Sequence, residues 1–145
     1  HLLVEAPDAE RLSRGVQGLS IRLARGLNRV AGRKGRVWGD RWHGRALTTP
    51  RAVRHALVYV LLNFRKHARD PREAYAARRQ LDPCSSALYL DDGWDVRAGP
   101  LLAELLTPDA HDAPRPVPRP RTWLARTGWR RHGLLRPEEA PASSG

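Results

Sequence analysis

Residues 48–67, TTPRAVRHALVYVLLNFRKH, constrain the fold of this chain most, because they predict one long helix. Thr49 is placed to cap that helix, and Pro50 suits its first position, where the missing N–H costs nothing. Apolar residues then recur at helical spacing and are expected to form the core face: Val53, Ala56, Leu57, Val60, Leu61 and Phe64. Other parts of the chain must therefore pack against this face.

A second, polar stripe runs along the same predicted helix. At about 100° per residue it contains His55, Tyr59, Asn63 and Lys66, and we expect it to face a groove. A tyrosine hydroxyl is a weak nucleophile unless a metal ion polarises the phosphodiester or a base accepts the proton. Asn63 offers an amide oxygen and His1 an imidazole, a set compatible with Mg²⁺ or Mn²⁺. Taken alone, the Tyr59 and Asn63 pair is a weak signal.

The charge of the chain indicates a nucleic-acid partner. The formal net charge is +11 at pH 7, and Lys34 and Lys66 are the only lysines, so the charge comes almost entirely from arginine. The planar fork of arginine matches phosphate geometry. An arginine-rich but merely solvated surface, reflecting a GC-rich coding sequence, would give the same composition.

Length and cysteine content limit the class of protein. A chain of 145 residues permits one small domain and a tail. Its single cysteine, Cys84, excludes an internal disulfide framework and a cysteine-based zinc site within one chain. The longest apolar run, residues 56–62, is too short to cross a bilayer. We therefore expect a soluble, cytoplasmic protein.

The first 30 residues predict a buried strand followed by a helix. HLLVEA at residues 1–6 has a buried-strand pattern but no earlier partner strands, so we expect the chain to be a fragment. Asp8 can cap the helix that follows, and Gly32 can end it. Its apolar residues are expected to be buried: Leu12, Val16, Leu19, Leu23, Leu27 and Val30. The arginines between them are either solvated charges or a track for a phosphate backbone.

Residues 31–49 predict a glycine-rich loop with a short strand or two. Basic residues alternate there with Trp38 and Trp42, which combines phosphate-neutralising charge with aromatic surfaces for unpaired bases. The candidate DNA-binding residues are Arg33, Lys34, Arg36, Arg41 and Arg45. Alternatively, both tryptophans are core residues beneath the loop.

The last third of the chain predicts a linker and a tail. Residues 108–121 are proline-rich and favour extended conformations. TWLARTGWRRHGLL, at residues 122–135, is basic and amphipathic but too short to fold alone, and PEEAPASSG after it has a disordered composition. We therefore expect a packed domain over residues 1–100 and a linker with a basic, partly disordered tail over residues 101–145. Docking of the tail onto the domain and onto nucleic acid are both open.

Three stretches occur in an order that resembles a known family. They are HLLVEA at residues 1–6, GRKGRVWGDRWH at residues 32–43 and YVLLN at residues 59–63. They resemble the single-tyrosine HUH transposases, in particular the REP-associated tyrosine transposases of bacteria. That family has a strand with Asn-His-x-His-Leu-Leu, a long helix, a Gly-Arg-x-Gly-x-x-Trp segment and a helix with Tyr-x-x-x-Asn. The resemblance covers residues 1–67, and TWLARTGWRRHGL also looks like the C-terminal part of some members.

The resemblance implies an α+β fold and a mechanism. The fold would be a ferredoxin-like antiparallel sheet with flanking helices, incomplete at its N-terminus. Tyr59 would attack single-stranded DNA and leave a 5′-phosphotyrosine link. His1 would be the second histidine of the metal pair, and Asn63 would be a further ligand of Mg²⁺ or Mn²⁺. The partner would be single-stranded or hairpin DNA, bound near residues 32–45, and the protein would act as a monomer or homodimer.

The chain departs from the family pattern in ways that affect the metal site. No first histidine of the pair precedes His1, so we expect poor metal affinity. Trp42 stands where many relatives have tyrosine after arginine, and Phe64 replaces the frequent proline after Asn63. A catalytically inactive, nucleic-acid-binding remnant of a transposase is therefore the alternative. A structural RNA-binding protein of the ribosomal type would explain the charge but not the ordered motifs.

Overall fold

The computed structural model describes residues 1–67, 81–82, 84–90, 92–95 and 116–140. The chain divides into two compact units. One unit is Val4–Ala46 and contains helix α1, Ala9–Val30; we call it the α1 unit. The other consists of His1–Leu3 together with Leu47–Gly145 and contains helix α2, Pro50–Leu62; we call it the α2 unit. Each unit has its own long helix.

The α1 unit contains helix α1, Ala9–Val30. Asp8 caps its start, because the Asp8 carboxylate accepts a hydrogen bond of 2.7 Å from the N–H of Arg11. The helix ends at Ala31, and Gly32 follows with a φ of +60°, in the left-handed region that glycine adopts at low cost. The predicted start and end of this helix are therefore confirmed.

The predicted buried face of α1 is wrong, since no residue of the helix is buried. Leu19, Leu23, Leu27 and Val30 are all exposed. The glycine-rich segment instead lies along Gln17, Ser20, Ile21 and Ala24, and the Trp38 indole N–H donates to the Ser20 carbonyl at 2.9 Å. At about 100° per residue, the side of α1 covered by the glycine-rich segment lies roughly 120° around the helix axis from the predicted apolar stripe. The segment therefore does not cover that stripe.

The α2 unit contains helix α2, Pro50–Leu62, which continues as a 3-10 helix over Asn63–His67. Thr49 is the N-cap, and its hydroxyl accepts a hydrogen bond of 3.2 Å from the Ala52 N–H. Pro50 occupies the first turn, where its missing N–H leaves no helical bond unmade. The predicted start is confirmed, and the α-helical part ends earlier than predicted.

The core of the α2 unit forms where α2 meets segments from much later in the chain. Its buried hydrophobic residues are Val53, Val58, Leu61, Leu62, Leu81, Ala87, Trp94, Trp129 and Leu135. Val53 and Leu61 confirm part of the predicted core face, and Leu57 and Phe64 are partly buried against it. Val58 and Leu62 were not predicted, because at about 100° per residue they lie outside the apolar stripe that the spacing predicts as the core face.

A further part of this core comes from residues 122–139, which we call the C-terminal segment. It begins with a short helix α3, Trp123–Arg126, and continues as a 3-10 helix over Gly128–His132. The Thr122 hydroxyl caps α3 by accepting from the Ala125 N–H at 3.3 Å. Trp129 and Leu135 are almost fully buried, and Leu124 packs beside them. Of the two docking alternatives, packing onto the rest of the α2 unit is thus observed.

The predicted ferredoxin-like antiparallel sheet is wrong, because the described ranges contain no β-strand. They contain one isolated bridge between Trp94 and Leu135, with hydrogen bonds of 2.8 and 2.9 Å. Residues 1–6 are exposed and have no neighbouring strand among the described residues, so their apolar pattern has nothing to pair with.

The short strands predicted within residues 31–49 are also absent. Side chains there bind the carbonyl groups that a neighbouring strand would otherwise bind. Arg33 donates to the carbonyl of Arg36 at 3.0 Å, and Arg36 donates to the carbonyls of Trp38 and Gly39. The Asn28 amide donates to the Gly35 carbonyl at 2.8 Å. These local bonds stabilise a loop rather than a strand.

The predicted domain boundary at residues 100 and 101 lies outside the described residues, as does most of the predicted linker at 108–121. Residues 116–140 are described and belong to the α2 unit. Among the described helices, none combines the length and apolar character needed to cross a membrane.

Candidate functional site

Tyr59 and His1, both predicted from the sequence as site residues, are in contact. The Tyr59 hydroxyl lies 3.4 Å from Nε2 of His1, and their rings meet edge to face with centroids 4.8 Å apart and planes at 74°. Tyr59 is half-buried on α2, whereas His1 is exposed. The α2 unit thus brings together two residues that are 58 positions apart in sequence.

Asn63, the second predicted metal ligand, closes α2 as its C-cap, with helical angles of −63° and −27°. It is half-buried and begins the 3-10 helix. At about 100° per residue, four positions place Asn63 roughly 40° around the axis from Tyr59. The two side chains therefore leave the helix on the same side, one turn apart.

The donor chemistry at this site suits a weakly held divalent ion. His1 offers an imidazole nitrogen and Asn63 an amide oxygen, which Mn²⁺ accepts as a set and Mg²⁺ accepts chiefly through oxygen. Such ions keep several water molecules and often bind through few protein ligands plus a substrate phosphate. The described residues include no group of three or more His, Cys, Asp or Glu side chains that could hold a metal by themselves. A substrate oxygen would therefore have to complete the coordination.

The candidate DNA-binding residues divide into two groups within the α1 unit. Arg33 and Arg36 donate hydrogen bonds to the carbonyl groups of their own loop and so help to shape it. Lys34, Arg41 and Arg45 form the second group. All five side chains are exposed and stay candidates for contact with phosphate.

The two tryptophans of this loop are not core residues. Trp38 is 42% exposed and Trp42 is 47% exposed. Trp38 is anchored through its indole N–H on α1, and the ring of Trp42 covers Gly44, where an added Cβ would lie 2.5 Å from the ring. Of the two predicted roles, burial beneath the loop is therefore wrong, and both rings offer surface to solvent.

An ionic cluster surrounds Arg54, and the sequence did not predict it. Arg54 pairs with Glu139 at 2.7 Å, and Arg136 pairs with Asp95 at 3.3 Å. These four side chains, with His132, Gly133 and Leu134, line a surface cavity of about 640 Å³. Since each of the two carboxylates faces an arginine, the cavity carries little unbalanced charge. The local sequence pattern around Arg54 does not predict its partner Glu139, which is 85 positions away.

The C-terminal segment also carries a surface with aromatic and cationic side chains, as its composition indicates. Seven arginines and no acidic residue occur between residues 113 and 137. The guanidinium carbon of Arg131 lies 4.8 Å from the centroid of the Trp123 ring, within the range of a cation–π interaction.

Comparison of the chain with protein-family models, with curated proteins and with solved structures gives no match.

Proposed function

We propose that the chain is part of a DNA transposase that cleaves and rejoins single-stranded DNA through a 5′-phosphotyrosine intermediate, with Tyr59 as the nucleophile. The proposal rests on one geometric observation, the 3.4 Å contact between the Tyr59 hydroxyl and the His1 imidazole. The resemblance in motif order points to the same two residues. The fold gives no further support, because the expected sheet is absent from the described residues.

In the proposed reaction, the phenol oxygen of Tyr59 attacks the phosphorus of a DNA phosphodiester. The bond to the 3′-oxygen breaks, the phenol proton leaves, and the departing oxygen takes up a proton to become a free 3′-hydroxyl. The 5′-phosphate stays on Tyr59 as a phosphotyrosine ester. The 3′-hydroxyl of a second DNA end then attacks this ester and releases Tyr59.

His1 and Asn63 are the residues that would hold the divalent ion, Mg²⁺ or Mn²⁺. When bound, the ion would supply Lewis-acid polarisation of the phosphodiester. The position of Asn63, one turn from Tyr59, would keep its amide oxygen on the side of α2 from which the nucleophile projects. A bacterial DNA substrate would place the protein in the cytoplasm, as a monomer or homodimer.

The test is covalent capture of single-stranded DNA. The protein is incubated with labelled oligonucleotides and Mn²⁺ or Mg²⁺, and the products are separated under denaturing conditions. Tyr59→Phe should abolish the covalent band and leave DNA binding nearly unchanged, because only the nucleophilic oxygen is removed. Tyr89→Phe is the matched control, since Tyr89 ends the separate 3-10 helix Ser86–Tyr89, and it should retain capture. Equal capture by Tyr59→Phe would exclude Tyr59 as the nucleophile.

The alternative is a catalytically inactive, nucleic-acid-binding remnant of a transposase. It is favoured by the absence of a sheet among the described residues and by the exposed Lys34, Arg41 and Trp42. This alternative predicts salt-sensitive binding to nucleic acid without any covalent product. The same gel therefore separates the two functions.

A further inference from the structure

The C-terminal segment is amphipathic in the folded protein, not only in sequence. Trp129 and Leu135 are almost fully buried and attach the segment to α2. Arg126, Arg131 and His132 are exposed. Because the apolar side of the segment packs into the core, the side that faces solvent is basic.

A half-exposed indole belongs to this outward side. The Trp123 ring is 49% exposed, and the guanidinium of Arg131 lies over it. Gly128 lies against the same ring, because a Cβ added there would come within 2.7 Å of it. The absence of a side chain at Gly128 thus lets the ring rest on the backbone, which holds it in place while half of its surface stays open. We name Trp123, Arg126, Arg131 and His132 the C-terminal surface.

The chemistry of this surface fits a nucleic-acid strand with unpaired bases. Guanidinium groups neutralise phosphates, and both indole rings and guanidinium planes stack on base faces. In a duplex, the base faces are hidden by stacking and only the phosphates and groove edges are accessible. An aromatic ring among arginines therefore favours a single strand over a duplex.

Arg54, which lines a cavity together with His132 of this surface, and the proposed nucleophile leave α2 on different sides. Arg54, which binds the C-terminal segment, and Tyr59 are five positions apart, or roughly 140° around the helix at about 100° per residue. A strand held by the C-terminal surface is thus contacted away from the phosphate under attack. Changes to this surface should alter affinity rather than the chemical step.

We propose that the C-terminal surface binds single-stranded DNA and holds a part of the substrate remote from the Tyr59 cleavage position. This inference rests on the proposed function for the identity of the strand. An acidic protein partner would satisfy the arginines but would make no use of an indole held open for stacking.

The first test compares charge-matched double variants of the whole protein in fluorescence anisotropy. The probe is a labelled oligothymidine of about 20 nucleotides, long enough for an ordinary single-strand site. Arg126→Gln with Arg131→Gln should raise Kd about tenfold. It should also make the slope of log K against log salt less negative by about 1.4, since each phosphate contact contributes about −0.7 to that slope. Trp123→Ala should raise Kd by about five- to a hundredfold through lost stacking.

The matched control removes the same charge from α1. Arg11→Gln with Arg14→Gln affects arginines that already pair with Asp8 and Glu10. This control should change Kd less than about twofold, because Asp8 and Glu10 already neutralise these two arginines. An equal loss of affinity in the control, or an equal affinity for duplex DNA, would overturn the proposal, since either result reduces the surface to general positive charge.

The second test uses the unaltered protein and so does not depend on the folding of variants. Photocrosslinking to an oligonucleotide containing bromodeoxyuridine should label the tryptic peptide of residues 122–126, which contains Trp123. Crosslinks confined to other peptides, or no DNA binding at all, would contradict the proposal. DNA binding and crosslinking without covalent capture by Tyr59 would retain the surface and remove the catalytic function. Covalent capture of DNA by Tyr59, with unchanged DNA affinity in all variants of the C-terminal surface, would retain the catalytic function and exclude the surface as a DNA-binding site.

Discussion

At the scale of single residues, Arg54 makes four hydrogen bonds to residues 79 to 85 positions away in sequence. Its Nε donates to the Gly133 carbonyl at 2.9 Å and its Nη2 to the Leu134 carbonyl at 3.0 Å. Both terminal nitrogens also bind the Glu139 carboxylate, at 2.9 and 2.7 Å. One side chain on α2 therefore fixes both ends of residues 133–139.

Arg54→Ala should destabilise the α2 unit by about 3 kcal/mol, because the partners are mostly shielded from water and Glu139 would lose its counter-charge. The Arg54 and Glu139 side chains are only 15% and 23% exposed. Urea unfolding, with hydrogen exchange of peptides covering α2, measures the loss.

Arg14→Ala is the control for Arg54→Ala. It breaks the pair with Glu10, whose side chains are 78% and 71% exposed. The loss should be less than about 0.5 kcal/mol, since exposed pairs of this kind contribute little. Equal losses in the two variants would mean that the Arg54 pair is no stronger than an ordinary surface pair.

Tyr59 and Arg54 illustrate what residue patterns can and cannot predict. An ordered set of motifs assigned Tyr59 and His1 to one site, and the two residues are in contact. The contact of Arg54 with Glu139 was not predicted, because helical spacing describes one element and says nothing about which distant segment covers it. The sequence likewise left open whether Trp38 and Trp42 are buried, and in the structure both are exposed.

At the scale of elements, the helix starts were set by local chemistry and were predictable. Asp8 and Thr49 cap α1 and α2 in the structure as the sequence predicted. Capping depends on a side chain and an N–H three positions later, so it is readable from sequence. The burial of α1 could not be predicted from its own residues, because it depends on which other segments pack against the helix.

Thr49→Ala should lower the stability of α2 by about 1 kcal/mol, because the N–H of Ala52 would lose the acceptor at the helix start. Faster amide exchange in the first turn of α2 would report the loss. Thr48→Ala is the matched control, one residue outside the cap, and should leave exchange unchanged. Thr49→Ser should restore most of the protection, and failure of this rescue would argue against a capping role.

The missing sheet has an equally physical cause. A strand needs a neighbour to bind its backbone, and the apolar pattern of residues 1–6 supplies side chains but no neighbour. The only bridge in the described residues joins Trp94 to Leu135, which are both core residues. An apolar run and a family resemblance therefore predicted strands for which the described residues offer no pairing partner.

At the scale of the whole molecule, the α2 unit depends on segments that are far apart in sequence. Leu135 is fully buried, and its N–H donates to the Gly93 carbonyl at 2.9 Å. It therefore joins the C-terminal segment to the core formed by α2 and Trp94. The end of the described chain is part of the core around the helix that carries Tyr59.

Leu135→Ala should cost about 3 kcal/mol, because it leaves a cavity in a packed core. Near-ultraviolet circular dichroism during urea unfolding should register the loss through the buried Trp94 and Trp129. The neighbouring Leu134, at 37% exposure, gives a matched control, and Leu134→Ala should cost less than about 1 kcal/mol. Similar costs at both positions would contradict the packing described for residue 135.

The most direct test of the central claim is to locate the covalent bond to DNA. The chain has three tyrosines, Tyr59, Tyr75 and Tyr89, and trypsin places each in a different peptide. After incubation with single-stranded DNA and Mn²⁺, nuclease and trypsin digestion should leave a nucleotide on the peptide of residues 55–65, bound through Tyr59. Nucleotide on either of the other two tyrosine peptides, or intact DNA binding with no nucleotide on any peptide, would contradict the assignment.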